Sequence, residues 1–187
     1  MGRGEGSIDT STLSQKQQML LETVRKLVRR GATPNLDRLL VRRRPVEIAM
    51  LFPYLHEWEG RNLLQMLLDH DVRFGAGVVA EIEPSIAVTY LEELARERLI
   101  EVISCIPPDD AAKLLRLLPE QTAAEVVPLL RAEMSEEVEE ILTHAGDTAG
   151  GLMSPDYFAL REDAAVSEAI KTLQQVGDTI EMAFYLY

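Results

Sequence analysis

Residues 99–118, LIEVISCIPPDDAAKLLRLL, hold two rounds of one apolar pattern. The first round places Leu99, Val102, Ile103 and Ile106 at spacings of 0, 3, 4 and 7, and the second places Ala111, Leu114, Leu115 and Leu118 in the same way. Such spacing marks one face of a helix. Counting in twelves in both directions returns nearly the same pattern, with Leu51, Leu63, Gly75, Ala87, Leu99, Ala111 and Ala123 at the first position. Twelve residues allow about two helical turns and a connection, too little for a helix to stand alone in water. Short helices must therefore share a core with their neighbours, as the units of a solenoid do. Prolines punctuate the units at Pro84, Pro107-Pro108 and Pro119, where a first helical turn needs no N–H donor. The repeat assigns most Leu, Val and Met side chains to packing. It also puts Trp58 and His70 at the fourth, inward position and sets Cys105 inside a packed unit.

Composition agrees with packed helices: 47% of the 187 residues are hydrophobic and only 5% aromatic. No apolar stretch reaches the roughly 20 residues needed to cross a bilayer. The start, Met1 to Gln18, is Gly/Ser/Thr-rich, lacks the apolar centre of a signal peptide and reads as a flexible leader. A single cysteine, Cys105, excludes an intramolecular disulfide and a multi-cysteine zinc site, and fits a reducing cytosol. The net charge of −12 is unevenly distributed: residues 1–50 carry 10 Lys/Arg against 5 Asp/Glu, and residues 51–187 carry 9 against 26. A body of net −17 repels phosphate, so nucleic acid is not an expected partner. Acidity of this kind suits divalent cations or basic protein surfaces. The basic run Arg42-Arg43-Arg44 suits lipid headgroups or RNA, but more simply a solvated helix end or a partner for the acidic body.

A first amphipathic helix is expected from Ser14 to Arg30, stopped at Gly31. A second carries Leu36, Leu39 and Leu40, Pro45 opens a third, and the repeating units follow. A last helix of this series runs from Ser135 to His144, and the texture changes at Ala145, where Gly146, Gly150, Gly151 and Pro155 interrupt the chain. Tyr157 to Leu160 reads as a strand, and Val166 to Val176 as a helix with Val166, Ala169, Ile170 and Leu173 inward. Met182 to Tyr187 reads as a second strand. Strand, helix, strand begins a second unit, and the chain reads as a piece of something longer.

His144 to Met153, HAGDTAGGLM, followed by SPDYFALREDAAVSEAIKTL, resembles the junction between the two cytosolic modules of MgtE-family magnesium transporters. The family's DTAGGLM is matched without a gap by Asp147-Thr148-Ala149-Gly150-Gly151-Leu152-Met153, and the Pro-punctuated short helices resemble its N domain. The resemblance implies a mainly α fold, a right-handed superhelical solenoid of short helices followed by a partial α/β CBS module. The implied boundaries are a leader at 1–18, the solenoid at 19–145, a hinge at 146–156 and an incomplete first CBS domain at 157–187. It implies a cytosolic Mg2+-sensing regulatory segment, gating by cation-screened packing of acidic N and CBS domains at the cytoplasmic face of the cell membrane. Its implied partners are Mg2+ and the remaining CBS and transmembrane domains, in a full-length homodimer. The other reading is a soluble interaction scaffold without a pore, like the flagellar motor switch protein FliG or a stand-alone N-domain/CBS protein. Adenosine nucleotides belong to a complete CBS pair, of which this chain holds about half of one copy.

Among site residues, the resemblance implies a metal-binding pair of aspartates four apart at one helix start. The matching stretch is Pro107-Pro108-Asp109-Asp110-Ala111-Ala112-Lys113, so Asp109 and Asp110 are the candidate metal ligands and Lys113 replaces the second family aspartate. Both aspartates also suit the first turn of a helix, where carboxylates meet the positive end of its dipole. Glu162 and Asp163 lie near the implied interface. Enzymatic chemistry is not expected. His56-Glu57-Trp58-Glu59 fails the zinc-protease pattern at Gly60, and Gly150-Gly151 lacks the strand and lysine of a phosphate loop.

Overall fold

A computed structural model of the chain describes residues 10, 12–40, 43–153, 159–161 and 164–176, and among them all regular structure is helical. In order these are α1 (Gln15–Arg29), α2 (Thr33–Leu40), α3 (Pro45–Ala49), α4 (Glu57–His70), α5 (Val72–Glu81), α6 (Pro84–Leu91), α7 (Arg96–Ile103), α8 (Pro108–Leu117), α9 (Glu120–Val126), α10 (Ala132–Thr143), α11 (Ala149–Leu152) and α12 (Val166–Val176). Short 3₁₀ turns, Phe52–Tyr54 and Val127–Leu129, follow α3 and α9. Proline opens α3, α6 and α8, in the first turn as expected.

The repeating helices pack in two rows. One row runs α3, α5, α7, α9 and the other α4, α6, α8, α10, each helix touching the one two further along the chain. The apolar face of every unit is thus shared with its neighbours. α1 and α2 pack on α4 at the start of the rows. Their Leu20, Leu21, Val24, Val28, Leu36 and Leu40 join the same continuous core. Ser14 caps α1 through a reciprocal pairing with Gln17, so ordered helix begins inside the stretch read as a leader.

From α5 to α9 the sequence count and the structure agree. Helices start at 72, 84, 96, 108, 120 and 132, and the fourth residues of α5 to α9 are Gly75, Ala87, Leu99, Ala111 and Ala123. The first two units differ. α3 and α4 start at 45 and 57, but α5 starts 15 residues after α4. The structural counterparts are therefore Ile48, Leu51, Phe52, Leu55 and then Gly60, Leu63, Leu64, Leu67, three residues earlier than counting in twelves gives. All eight are buried. Trp58 and His70, expected inward, are exposed, Trp58 at 45%. A shift of three stays on one helical face, so the extra turn of α4 leaves the apolar pattern looking in phase.

α10 begins three residues earlier than expected, at Ala132. α12 matches its expected range, but Val166 and Ile170, expected inward, are exposed. Tyr157, Phe158, Glu162, Asp163 and Met182–Tyr187 lie outside the described residues. Ala159 and Leu160 form no strand.

Candidate functional site

Pro107 precedes α8 and Pro108 opens it, which places Asp109 and Asp110 in its first turn. Helical spacing then returns Lys113 to the same face. Its ammonium donates to Asp110 Oδ1 at 2.7 Å and to Asp109 Oδ2 at 3.3 Å. Burial works against this ammonium, yet the Asp110 hydrogen bond and the charges of Asp110 and Asp109 outweigh it and raise the lysine pKa. The two candidate ligands are thus brought together, and a cation already bridges them. Among the described residues no three His, Cys, Asp or Glu side chains converge to hold a metal ion. The oxygen chemistry suits Mg2+, but direct ligation at this pair requires displacing Lys113.

One turn further along α8, Arg116 reaches the junction. Its Nη2 donates to the carbonyls of Ile141 at 2.6 Å and His144 at 2.9 Å, and its Nη1 to that of Gly151 at 3.2 Å. The guanidinium so reaches carbonyls at the end of α10, that of Ile141 shared with the His144 N–H, and binds α11 to the same point. Thr148 caps α11, accepting from the Gly151 N–H at 3.3 Å while its hydroxyl donates to the Ala145 carbonyl at 2.7 Å. A Cβ on Gly150 would stand 2.7 Å from His144 Cγ, and one on Gly151 would collide with the Ala145 carbonyl. Asp147-Thr148-Ala149-Gly150-Gly151-Leu152-Met153 is therefore a tight return of the chain onto α10, with the glycines set by close approach.

A second polar cluster ties α1 to α4. Glu59 is fully buried, accepting from Arg29 Nε at 2.8 Å and from the His56 N–H at 3.1 Å, with Arg25 Nε at 3.5 Å. Arg25 also donates to the Tyr54 carbonyl at 2.5 Å. The reading of the sequence missed this cluster. Its signals were a glutamate at the third position of a helix, able to pair back to the preceding N–H, and two arginines four apart on α1. In the basic run, Arg43 pairs with Glu47 at 3.2 Å, while Arg42 lies outside the described residues.

Cations of the acidic body tie helices together. Arg61 pairs with Glu57 and Glu93, Arg98 with Asp69 at 3.0 Å, and Arg96 with Glu125 at 3.2 Å. Glu81, Glu92, Glu97, Glu120, Glu136 and Glu140 remain exposed, with no ion pair among the described residues. No described helix is long and apolar enough to cross a membrane.

Comparison with known proteins places this geometry. The soluble part of a magnesium transporter superposes with a TM-score of 0.75 at 20% identity, covering 91% of this chain and 66% of that one. The cytosolic domain of the Mg2+ channel MgtE in complex with ATP gives 0.77 at 26% identity, covering 89% and 67%. The magnesium transporter MgtE of Thermus thermophilus is 28% identical over a match covering 67% of this chain. That match spans 37% of the transporter's length, so the chain corresponds to little more than a third of that relative. Residues 43–147, more than half of the chain, match the family model described as the MgtE intracellular N domain. The chain belongs to the MgtE intracellular N-domain family.

Proposed function

We propose that this chain is the cytosolic Mg2+-sensing regulatory segment of an MgtE-type magnesium transporter, at the cytoplasmic face of the cell membrane. Its two rows of helices are read as a right-handed superhelical solenoid over 19–145. A hinge at 146–156 joins it to the beginning of a CBS module at 157–187. Family membership carries this reading, and the charge distribution gives it a mechanism. The body of net −17 uses Arg61, Arg96, Arg98 and Lys113 in internal pairs, leaving glutamates such as Glu97 and Glu120 uncompensated at its surface. Divalent cations gather on such a surface and weaken its repulsion of a second acidic module. Low Mg2+ restores the repulsion and separates the modules. The partners in this reading are Mg2+ and the remaining CBS and transmembrane domains of a homodimeric parent, and no catalytic step is assigned.

The test is small-angle scattering and limited proteolysis of the parent's cytosolic part, carrying the complete CBS pair, with and without millimolar Mg2+. Compaction and protection specific to Mg2+ are expected; an unchanged radius and cleavage pattern would exclude sensing. The bridging of Asp109 and Asp110 by Lys113 favours a second reading, a pore-free interaction scaffold like FliG. Pull-down of a specific protein partner, with no membrane segments in the parent, would support it.

A further inference from the structure

The first turn of α8 holds two carboxylates locked to one ammonium. Asp109, Asp110 and Lys113 keep 18%, 30% and 35% of their side-chain surface exposed, so all three are partly withdrawn from water. The i,i+3 and i,i+4 pairs both place the acid before the base, the favourable order on a helix. The first turn adds the positive end of the helix dipole. Mg2+ takes oxygen ligands in a near-ideal octahedron and loses its waters reluctantly. A nitrogen with three donors and no lone pair, in contact with one oxygen of each carboxylate, supplies charge without being a ligand.

We propose that Lys113 is a tethered counter-ion that bridges Asp109 and Asp110 permanently and halves their charge, withdrawing this pair from the carboxylates that respond to Mg2+. The inference rests on the Mg2+-sensing reading above and narrows it. The start of α8 keeps one charge state at all Mg2+ levels, and sensing falls to acidic side chains without such a partner. A mobile divalent ion can compete for the pair only when the ammonium is removed, whereas a guanidinium at the same position keeps it closed.

The experiment follows the side-chain carboxylate carbon shifts of Asp109 and Asp110 by NMR during a millimolar Mg2+ titration of this chain. Wild type is compared with Lys113→Ala and Lys113→Arg, with circular dichroism confirming that each variant is helical. Flat shifts are expected in wild type and Lys113→Arg. In Lys113→Ala, saturable shifts are expected at an affinity at least about tenfold higher, since a like charge at contact distance has been removed. Wild-type shifts as large as those of Lys113→Ala would overturn the proposal, as would flat shifts in Lys113→Ala. The scattering assay on the longer protein separates the two claims. A silent pair with retained Mg2+ compaction supports both, whereas a silent pair without compaction overturns only the sensing reading.

Discussion

Glu59 shows how much one buried charge can demand of its neighbours. Its carboxylate is fully enclosed and depends on Arg25, Arg29 and the His56 N–H. Glu59→Gln leaves Arg25, whose side chain is 16% exposed, with only the solvent-screened Glu22 at 3.3 Å as a counter-charge, and a broken buried pair costs about 3 kcal/mol. Arg29→Gln should cost less, about 1 kcal/mol, because Arg29 is 54% exposed and solvent screens it. Urea unfolding of the two variants measures the difference, and equal losses would refute the ranking. A second residue-scale expectation concerns alkaline pH. Burial raises the Tyr90 pKa, with Glu57 raising it further and Arg61 opposing, and the Lys113 pKa is also raised. A raised folded-state pKa gives stability that is complete below the unfolded value and is lost as pH rises through the folded value. Stability should therefore fall above about pH 10, where tyrosine and then lysine titrate in the unfolded chain. Tyr90→Phe should flatten the first part of that fall in urea midpoints taken across the alkaline range. Asp109, Asp110 and Lys113 could be read from the sequence because their spacing is local to one helix. Glu59 with Arg25, and Arg116 with Ile141, could not: their partners are 34 and 25 residues away, and only the fold joins them.

Among the elements, α4 carries the irregularity that the apolar pattern concealed. From α5 to α9 the twelve-residue period was legible because each helix starts in the same phase and turns the same four positions toward the core, with only Leu94 and Ala123 half-buried. α4 is 14 residues long, and three added residues return the chain to the same helical face. Hydrophobicity alone therefore could not locate the insertion; Gly60 does. A Cβ there would lie 2.6 Å from Cζ of Tyr90, a side chain of α6 that packs edge-on against Phe52 at 5.4 Å. Gly60→Ala should cost about 1–3 kcal/mol through overpacking. Adding Tyr90→Phe should recover part of it, because the hydroxyl is the nearest obstructing atom. Thermal unfolding of the single and double variants checks the coupling, and additive losses would exclude this contact as the cause. The junction gives the matching test for α8, α10 and α11. Arg116→Lys keeps the charge but loses the fork that serves three carbonyls. Amide exchange in residues 144–153 should accelerate at least about tenfold, since each charge-assisted bond is worth roughly 1.5–3 kcal/mol, while exchange in α5 and α6 stays unchanged. Equal protection in the variant would show that packing of α11 suffices without the guanidinium.

At the scale of the molecule, the family match and the core do not share a boundary. The family model begins at residue 43, whereas the continuous core begins at Leu13 and includes Leu21, Val24, Leu36 and Leu40. α1 and α2 lie on α4 and complete the burial of its inner face, and Glu59 binds α1 by charge as well. Removing residues 1–42 would open the apolar row at its start, exposing part of the face of α4 on which α1 and α2 lie. Each fully buried aliphatic side chain lost contributes roughly 1.5–3 kcal/mol of gross burial, against a net stability of about 5–15 kcal/mol for a whole domain. Arrays of short helices also need an end unit that closes the hydrophobic face. The shortened chain should therefore unfold at lower urea, bind a hydrophobic dye in its folded range and lose protection first in α3 and α4. Protection in α8 and α10 should persist longer, because their contacts lie at the opposite end of the rows. A truncated chain with an unchanged cooperative transition and no dye binding would show that α1 and α2 are accessory. The expected outcome makes them the closing unit of the array, and places the physical start of the domain near Leu13.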